Sequence, residues 1–135
     1  MTTLDERDEL GKVFFAAWQK HRENQLVEPI EAMIIDIILQ HPEYHEFFAH
    51  PEETTEFAGT NPFLHVSLHL ALREQLGADR PVGIKAIYLA LTNKLQDAHA
   101  AEHHMLDCLG QILWEAQQSG KMPDEQEYLE KLRSL

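Results

Sequence analysis

The chain has 135 residues, about the length of one domain, and its hydrophobic share of 44% is large enough to bury a core. Acidic residues (23) outnumber lysine and arginine (11), and the resulting charge of −12 argues against binding to nucleic acid or to anionic membranes. The single cysteine, Cys108, excludes an internal disulfide and a thiolate metal cluster. The charged N-terminus and the lack of a membrane-length apolar stretch predict a cytoplasmic protein.

Apolar residues recur at helical spacing in the first third of the chain, where no alternating strand pattern is visible. The first predicted helix covers residues 3–21. The second begins near Pro29 and must kink or end at Pro42, before a short helical segment at residues 43–49. The buried face predicted for the first helix consists of Leu10, Phe14, Ala17, Trp18 and His21, and that of the second consists of Ile30, Ile34, Ile37, Ile38 and His41.

The remainder of the chain is also predicted to be helical after an acidic surface loop at residues 50–60. A third helix, residues 62–76, is apolar nearly all round, which predicts a central helix. Residues 82–118 form one helix, or two if Asp97 caps a new one, and a short helix follows Pro123. We therefore predict an all-α protein, a helical bundle of four to six helices in one domain over residues 1–135.

A buried carboxylate is the first sign of a functional site. Glu102 falls in the middle of an apolar stripe, although a glutamate is rarely buried without a partner. His99 lies beside it and His103 lies on its flank, whereas His104 points away. Cys108 is predicted to lie on the outer side of the helix. The stripe consists of Leu95, Ala98, Leu106, Leu109, Leu113 and Ala116.

Histidine pairs four residues apart occur in two further helical segments. His65 is predicted at the centre of the face formed by Leu64, Leu68, Leu72 and Leu76, with His69 one turn on. His41 extends the stripe of the second helix, and His45 continues it if the kink at Pro42 is mild. Residues four apart are neighbours on a helix and can chelate one ion. The predicted ligands of a metal site, with one or two ions, are His41, His45, His65, His69, His99, Glu102 and His103.

The same residues leave the chemistry of the site open. Imidazole and carboxylate suit zinc, iron, copper or nickel, and if the ion is zinc, Glu102 is the candidate general base. Whether the protein is an enzyme is not decided by the sequence. The alternative is a non-enzymatic structural or interaction protein with a metal-free histidine network in its core or at a homodimer interface. Tyr44 and Asp107 are expected close to the histidines, and Trp18 and Trp114 in the core or an interface.

Several segments resemble a known family. They are HPEYH at residues 41–45, NPFLHVSLH at 61–69, AEH at 101–103, LWEAQ at 113–117 and PDE at 123–125. The chain is similar along nearly its whole length to a family of small bacterial proteins, domain of unknown function 1841. The resemblance implies a bacterial cytoplasmic protein, but the family has no established activity that would imply a role for any residue.

Overall fold

The computed structural model describes residues 3–50 and 61–135, with side chains from Gly11 onward. Within these residues the secondary structure is all-α, as predicted, and no strand is found. There are seven α-helices in the described ranges, so the prediction of four to six was too low. The helices are α1 (Thr3–Arg22), α2 (Pro29–Leu39), α3 (His45–Ala49), α4 (Pro62–Ala78), α5 (Ile84–Leu95), α6 (Ala98–Ser119) and α7 (Glu125–Arg133), with a 3-10 turn at Pro42–Tyr44.

The chain divides into two compact units, Met1–Leu70 and Ala71–Leu135, and the boundary falls inside α4. The single domain over residues 1–135 stays a prediction. The loop predicted for residues 50–60 lies outside the described residues except for His50, which follows α3. None of the helices that the structure describes is both long enough and apolar enough to cross a membrane.

The core of the first unit forms where α1 packs on α2 and α3. Phe14, Ala17 and Trp18 are buried on α1, as their spacing predicts. The buried face of α1 ends earlier than predicted, because His21 is exposed. The ring of His21 lies beside that of Trp18, with a centroid distance of 5.1 Å. The side chain of Leu10 lies outside the described part of the chain. A phenylalanine cluster completes this core: Phe14, Phe15, Phe47, Phe48 and Phe63.

The buried face of α2 differs from the predicted one at its first turn. Ile30 is 44% exposed, whereas Glu31 is buried. The carboxylate of Glu31 accepts hydrogen bonds from the backbone N–H of Glu28 (2.9 Å) and from the Lys20 ammonium (2.8 Å). A charged residue is tolerated here because both partners are present, as in a capping box. The helix ends at Leu39, before Pro42, as predicted.

α4 is not the central apolar helix that the sequence predicts. Leu64 is 55% exposed, while Val66, His69 and Leu72 are buried. The helix therefore buries a stripe with a spacing of three to four residues and leaves its other side open, as an amphipathic helix does. Because leucines occur on every side of α4, the sequence did not show which side is buried.

In the second unit, residues 82–118 form two helices and not one. α5 ends at Gln96, where φ is 57°, and Asp97 begins α6 by accepting a hydrogen bond from the N–H of Ala100 at 3.1 Å. Of the predicted stripe, Glu102, Leu106 and Leu109 are buried on α6, whereas Leu95 at the end of α5 and Leu113 on α6 are exposed. The buried residues of α6 are Ala101, Glu102, Met105, Leu106, Cys108, Leu109 and Ile112.

One prediction for α6 is wrong: Cys108 is buried rather than on the outer side, and burial raises the pKa of its thiol. Trp114, which was predicted in the core or in an interface, is 60% exposed and does not lie in the core. The final helix, α7, forms as predicted after Pro123 and is capped by Asp124, whose carboxylate accepts from the N–H groups of Gln126 and Glu127.

Candidate metal centre

The first imidazole of the site belongs to His41, which follows the C-terminal end of α2. It is almost completely buried, with 1% of its surface exposed. Its Nδ1 donates a hydrogen bond to the carbonyl oxygen of Ile37 at 2.7 Å, at a helix end where carbonyl groups lack helical partners. Because a carbonyl can only accept, the proton of the neutral ring is on Nδ1. The Nε2 of His41 therefore carries a lone pair.

Two more rings come from one face of α4. His65 and His69 are one helical turn apart, His65 half-buried and His69 fully buried. The Nε2 of His65 lies 3.1 Å from the Nε2 of His69 and also 3.1 Å from the Nε2 of His41. The ring centroids are farther apart, at 4.6–4.8 Å, so His65 directs its Nε2 at the Nε2 of each of the other two rings. We call these three residues the histidine triad.

The geometry of the triad is compatible with a shared cation as well as with hydrogen bonds between neutral rings. A ring nitrogen is either a donor with a proton or an acceptor with a lone pair. With His41 accepting, a neutral His65 would have to share one Nε2 proton between two neighbouring nitrogens, or a further ring would have to be protonated. A metal ion accepts all three lone pairs at once. Metal–nitrogen bonds of about 2.0–2.1 Å separate tetrahedral ligands by about 3.3 Å, close to the 3.1 Å seen here.

Tyr44 covers the triad, as the sequence analysis expected. Its ring is stacked on His41 at a centroid distance of 5.3 Å and meets His65 edge-on at 5.8 Å. Tyr44 is buried, and burial raises the pKa of its hydroxyl, with a contribution from the charge of Glu43. Its aromatic face thus shields two candidate ligands from water.

His45 takes a different direction from the triad. The 3-10 turn at Pro42–Tyr44 interrupts the helix, so His45 does not continue the line of His41. Its Nε2 donates to the carbonyl oxygen of Ile38 at 2.9 Å, and its ring packs on Trp18 at a centroid distance of 4.7 Å. The structure therefore does not bring this predicted ligand into the triad.

The second unit contains the other predicted ligands, on α6. His99 and His103 are neighbours with ring centroids 4.1 Å apart, and His104 is exposed, as predicted. Glu102 is buried, which confirms its predicted position on the inner side of the helix. Its Oε1 accepts a hydrogen bond from the Nε of Arg73 at 3.1 Å. Asp107, the other expected neighbour of the histidines, is exposed.

Arg73 is the residue that the sequence reasoning missed. It stands on α4, in a segment that otherwise looks apolar, and its side chain is only 19% exposed. A buried carboxylate requires a cationic or hydrogen-bonding partner. The presence of a single arginine in an apolar helix was the available signal for that partner.

In the part of the chain that the structure describes, the fold is all-α and the clustered histidines could hold a metal ion. The chain belongs to the family described as domain of unknown function 1841 (DUF1841), whose model matches residues 6–134. Comparison with curated proteins and with solved structures finds no match.

Proposed function

We propose that the protein binds a transition-metal ion through His41, His65 and His69. The observation that carries the proposal is the position of the His65 Nε2, 3.1 Å from the Nε2 of both other rings, while the His41 Nδ1 is engaged by Ile37. Metal-ligating histidines characteristically donate their second ring N–H to a backbone carbonyl or carboxylate, which orients the ring and selects the tautomer. Tyr44 adds the apolar cover that such centres have.

We also propose His103 as a ligand. The proposal rests on the sequence, which places His103 one turn from His99 and next to Glu102 on α6. A fourth nitrogen would complete the tetrahedral set that structural zinc sites use. A second ion involving His45, His99 and Glu102, and a role of Glu102 as general base, stay predictions from the sequence, as do a bacterial cytoplasmic origin, a homodimer and the lack of binding to nucleic acid or membranes.

The test of metal binding uses protein purified without an affinity tag or chelator. We expect elemental analysis to find a transition metal, and we expect a chelator to lower the melting temperature, because ligand binding stabilises the native state. His65→Ala should lose the metal and the response to chelator, whereas His21→Ala, which changes an exposed histidine, should keep both. A wild-type protein that contains no metal and whose melting temperature ignores chelator and added metal would disprove the proposal.

A metal-free histidine network is the second candidate. It is favoured by the two hydrogen bonds that His41 and His45 donate to Ile37 and Ile38, because these bonds satisfy carbonyls at the end of α2. In that case His41→Ala and His45→Ala should both destabilise the protein, and neither variant should differ from wild type in its response to zinc or chelator.

A further inference from the structure

We infer that the histidine triad selects zinc, copper or nickel and rejects magnesium, calcium and manganese. The inference rests on the proposed metal binding and goes beyond it by naming the class of ion. Its basis is the donor set, which consists of neutral nitrogens, together with the partners that the structure gives to the neighbouring carboxylates.

The three donors of the triad are neutral imidazoles. The hydrogen bond from His41 Nδ1 to Ile37 leaves its Nε2 as a lone-pair donor, and the Nε2 atoms of His65 and His69 face the same point. Imidazole is a borderline-soft ligand that suits zinc, copper and nickel, whereas magnesium, calcium and manganese prefer oxygen ligands. Within first-row divalent ions, affinity for such a site rises from manganese through iron to copper.

The carboxylates nearest to the candidate histidines in the sequence have other partners or face solvent. Glu102, the predicted ligand on α6, accepts a hydrogen bond from the Nε of Arg73. Glu46 is exposed and lies 3.2 Å from the Nε2 of His50, and Glu43 is exposed. These three carboxylates of the described residues are therefore not placed as oxygen ligands for a hard cation.

The three imidazoles of the triad, as neutral ligands, do not offset the charge of a bound ion. Hard ions such as magnesium are bound through carboxylates and retained water molecules. The buried surroundings of His41 and His69 leave little space for a retained hydration shell. Both considerations favour an ion that forms direct bonds to nitrogen.

The experiment is a competition measurement on the full-length wild-type protein. Chelator-treated protein is dialysed against equimolar zinc and manganese, with magnesium and calcium in excess, and its metal content is then determined. We expect zinc to be retained with at least about 100-fold preference over manganese. Manganese retained as well as zinc would overturn the inference and leave metal binding intact, whereas retention of neither ion would overturn both.

Glu102→Gln tests the role of the carboxylate directly. If Glu102 is held by Arg73 and is not a ligand, this variant should retain zinc and keep the preference for zinc over manganese, as should the exposed-site control His104→Ala. Loss of zinc from a folded Glu102→Gln variant, judged by its circular dichroism, would make the carboxylate a ligand and would overturn the inference. The wild-type competition decides the question if that variant does not fold.

Discussion

The Nδ1 of His41 donates a 2.7 Å hydrogen bond to the carbonyl oxygen of Ile37, one turn earlier in the chain. This bond places the proton of a neutral His41 ring on Nδ1, so the lone pair is on the Nε2, which lies 3.1 Å from the Nε2 of His65.

Replacing His41 tests whether its ring binds metal as well as capping the helix. We expect His41→Ala to lower the zinc affinity by at least about 100-fold, which corresponds to a loss of about 2.7 kcal/mol of binding free energy. The measurement is a zinc titration followed by calorimetry or a competing indicator. His50→Ala, which removes an exposed histidine, is the control. Equal zinc affinity in wild type and His41→Ala would contradict the assigned role.

The carboxylate of Glu31 should make stability depend on pH. The N–H of Glu28 and the ammonium of Lys20 lower the pKa of Glu31 below its ordinary value of 4.5. A lowered pKa in the folded state means that the ionised form stabilises the protein above the ordinary pKa and that this contribution is lost as the pH falls through the folded-state value.

Glu31→Gln should therefore reduce the free energy of unfolding at pH 7 and have a smaller effect at pH 3. Urea denaturation at the two pH values measures the difference. The exposed Glu130 gives the control variant Glu130→Gln, for which we expect little change at either pH. A Glu31→Gln effect that is the same at both pH values would show that ionisation does not contribute.

Because Cys108 is buried and not on the outer side of its helix, its replacement should affect stability. Cys108→Ser places a hydroxyl where burial already raises the pKa of the thiol, and we expect a loss of about 1–3 kcal/mol unless the hydroxyl finds a partner. In the native protein, the thiol should react slowly with alkylating reagents, because little thiolate is present and the sulfur is covered. Fast labelling under native conditions would contradict this burial.

Asp97 should stabilise α6 as its N-cap. Its carboxylate accepts from the N–H of Ala100 at 3.1 Å, so Asp97→Ala should cost about 1 kcal/mol of unfolding free energy. Asp97→Asn keeps an accepting oxygen and should cost less than alanine. Thermal unfolding of the two variants provides the comparison, and equal losses would show that the hydrogen bond does not stabilise the helix.

The pair formed by Arg73 and Glu102 should show strong coupling. The side chains are 19% and 7% exposed, so removal of one leaves the other charge in a poorly solvated place. We expect Arg73→Met to destabilise the protein by about 2–4 kcal/mol, and the double variant Arg73→Met with Glu102→Met to be more stable than that single variant. A double-mutant cycle with additive effects would argue against a functional ion pair.

The sequence was sufficient for the all-α class, for the ends of α2 and α7, and for the burial of Trp18, His41 and Glu102. These features depend on local signals, such as proline positions, capping residues and apolar spacing. The exposure of Leu64 and the burial of Cys108 were not predicted, because the phase of a helix rich in apolar residues depends on what packs against it. The break between α5 and α6 was left open by the sequence, because the residue type of Gln96 does not require the positive φ that it adopts.

For the candidate site, too, some features could be predicted from the sequence and others could not. The pairing of His65 with His69 follows from their spacing, and their convergence with His41 confirms that these segments approach each other. The direction of His45 was not predictable, because it depends on the turn that Pro42 introduces. Arg73 was overlooked because no local pattern assigns an arginine to a carboxylate 29 positions away.

His41 and His65 are 24 residues apart in the chain, yet their Nε2 atoms lie 3.1 Å apart. An ion bound to both would act as a reversible cross-link that closes a long loop of the polypeptide. In the loop-entropy description used for disulfides, closing a loop of this length lowers the conformational entropy of the unfolded chain and so stabilises the folded state by about 3 kcal/mol. Cellular metal supply would then govern how much of this protein survives proteolysis, because the cross-link can be withdrawn by any stronger chelator.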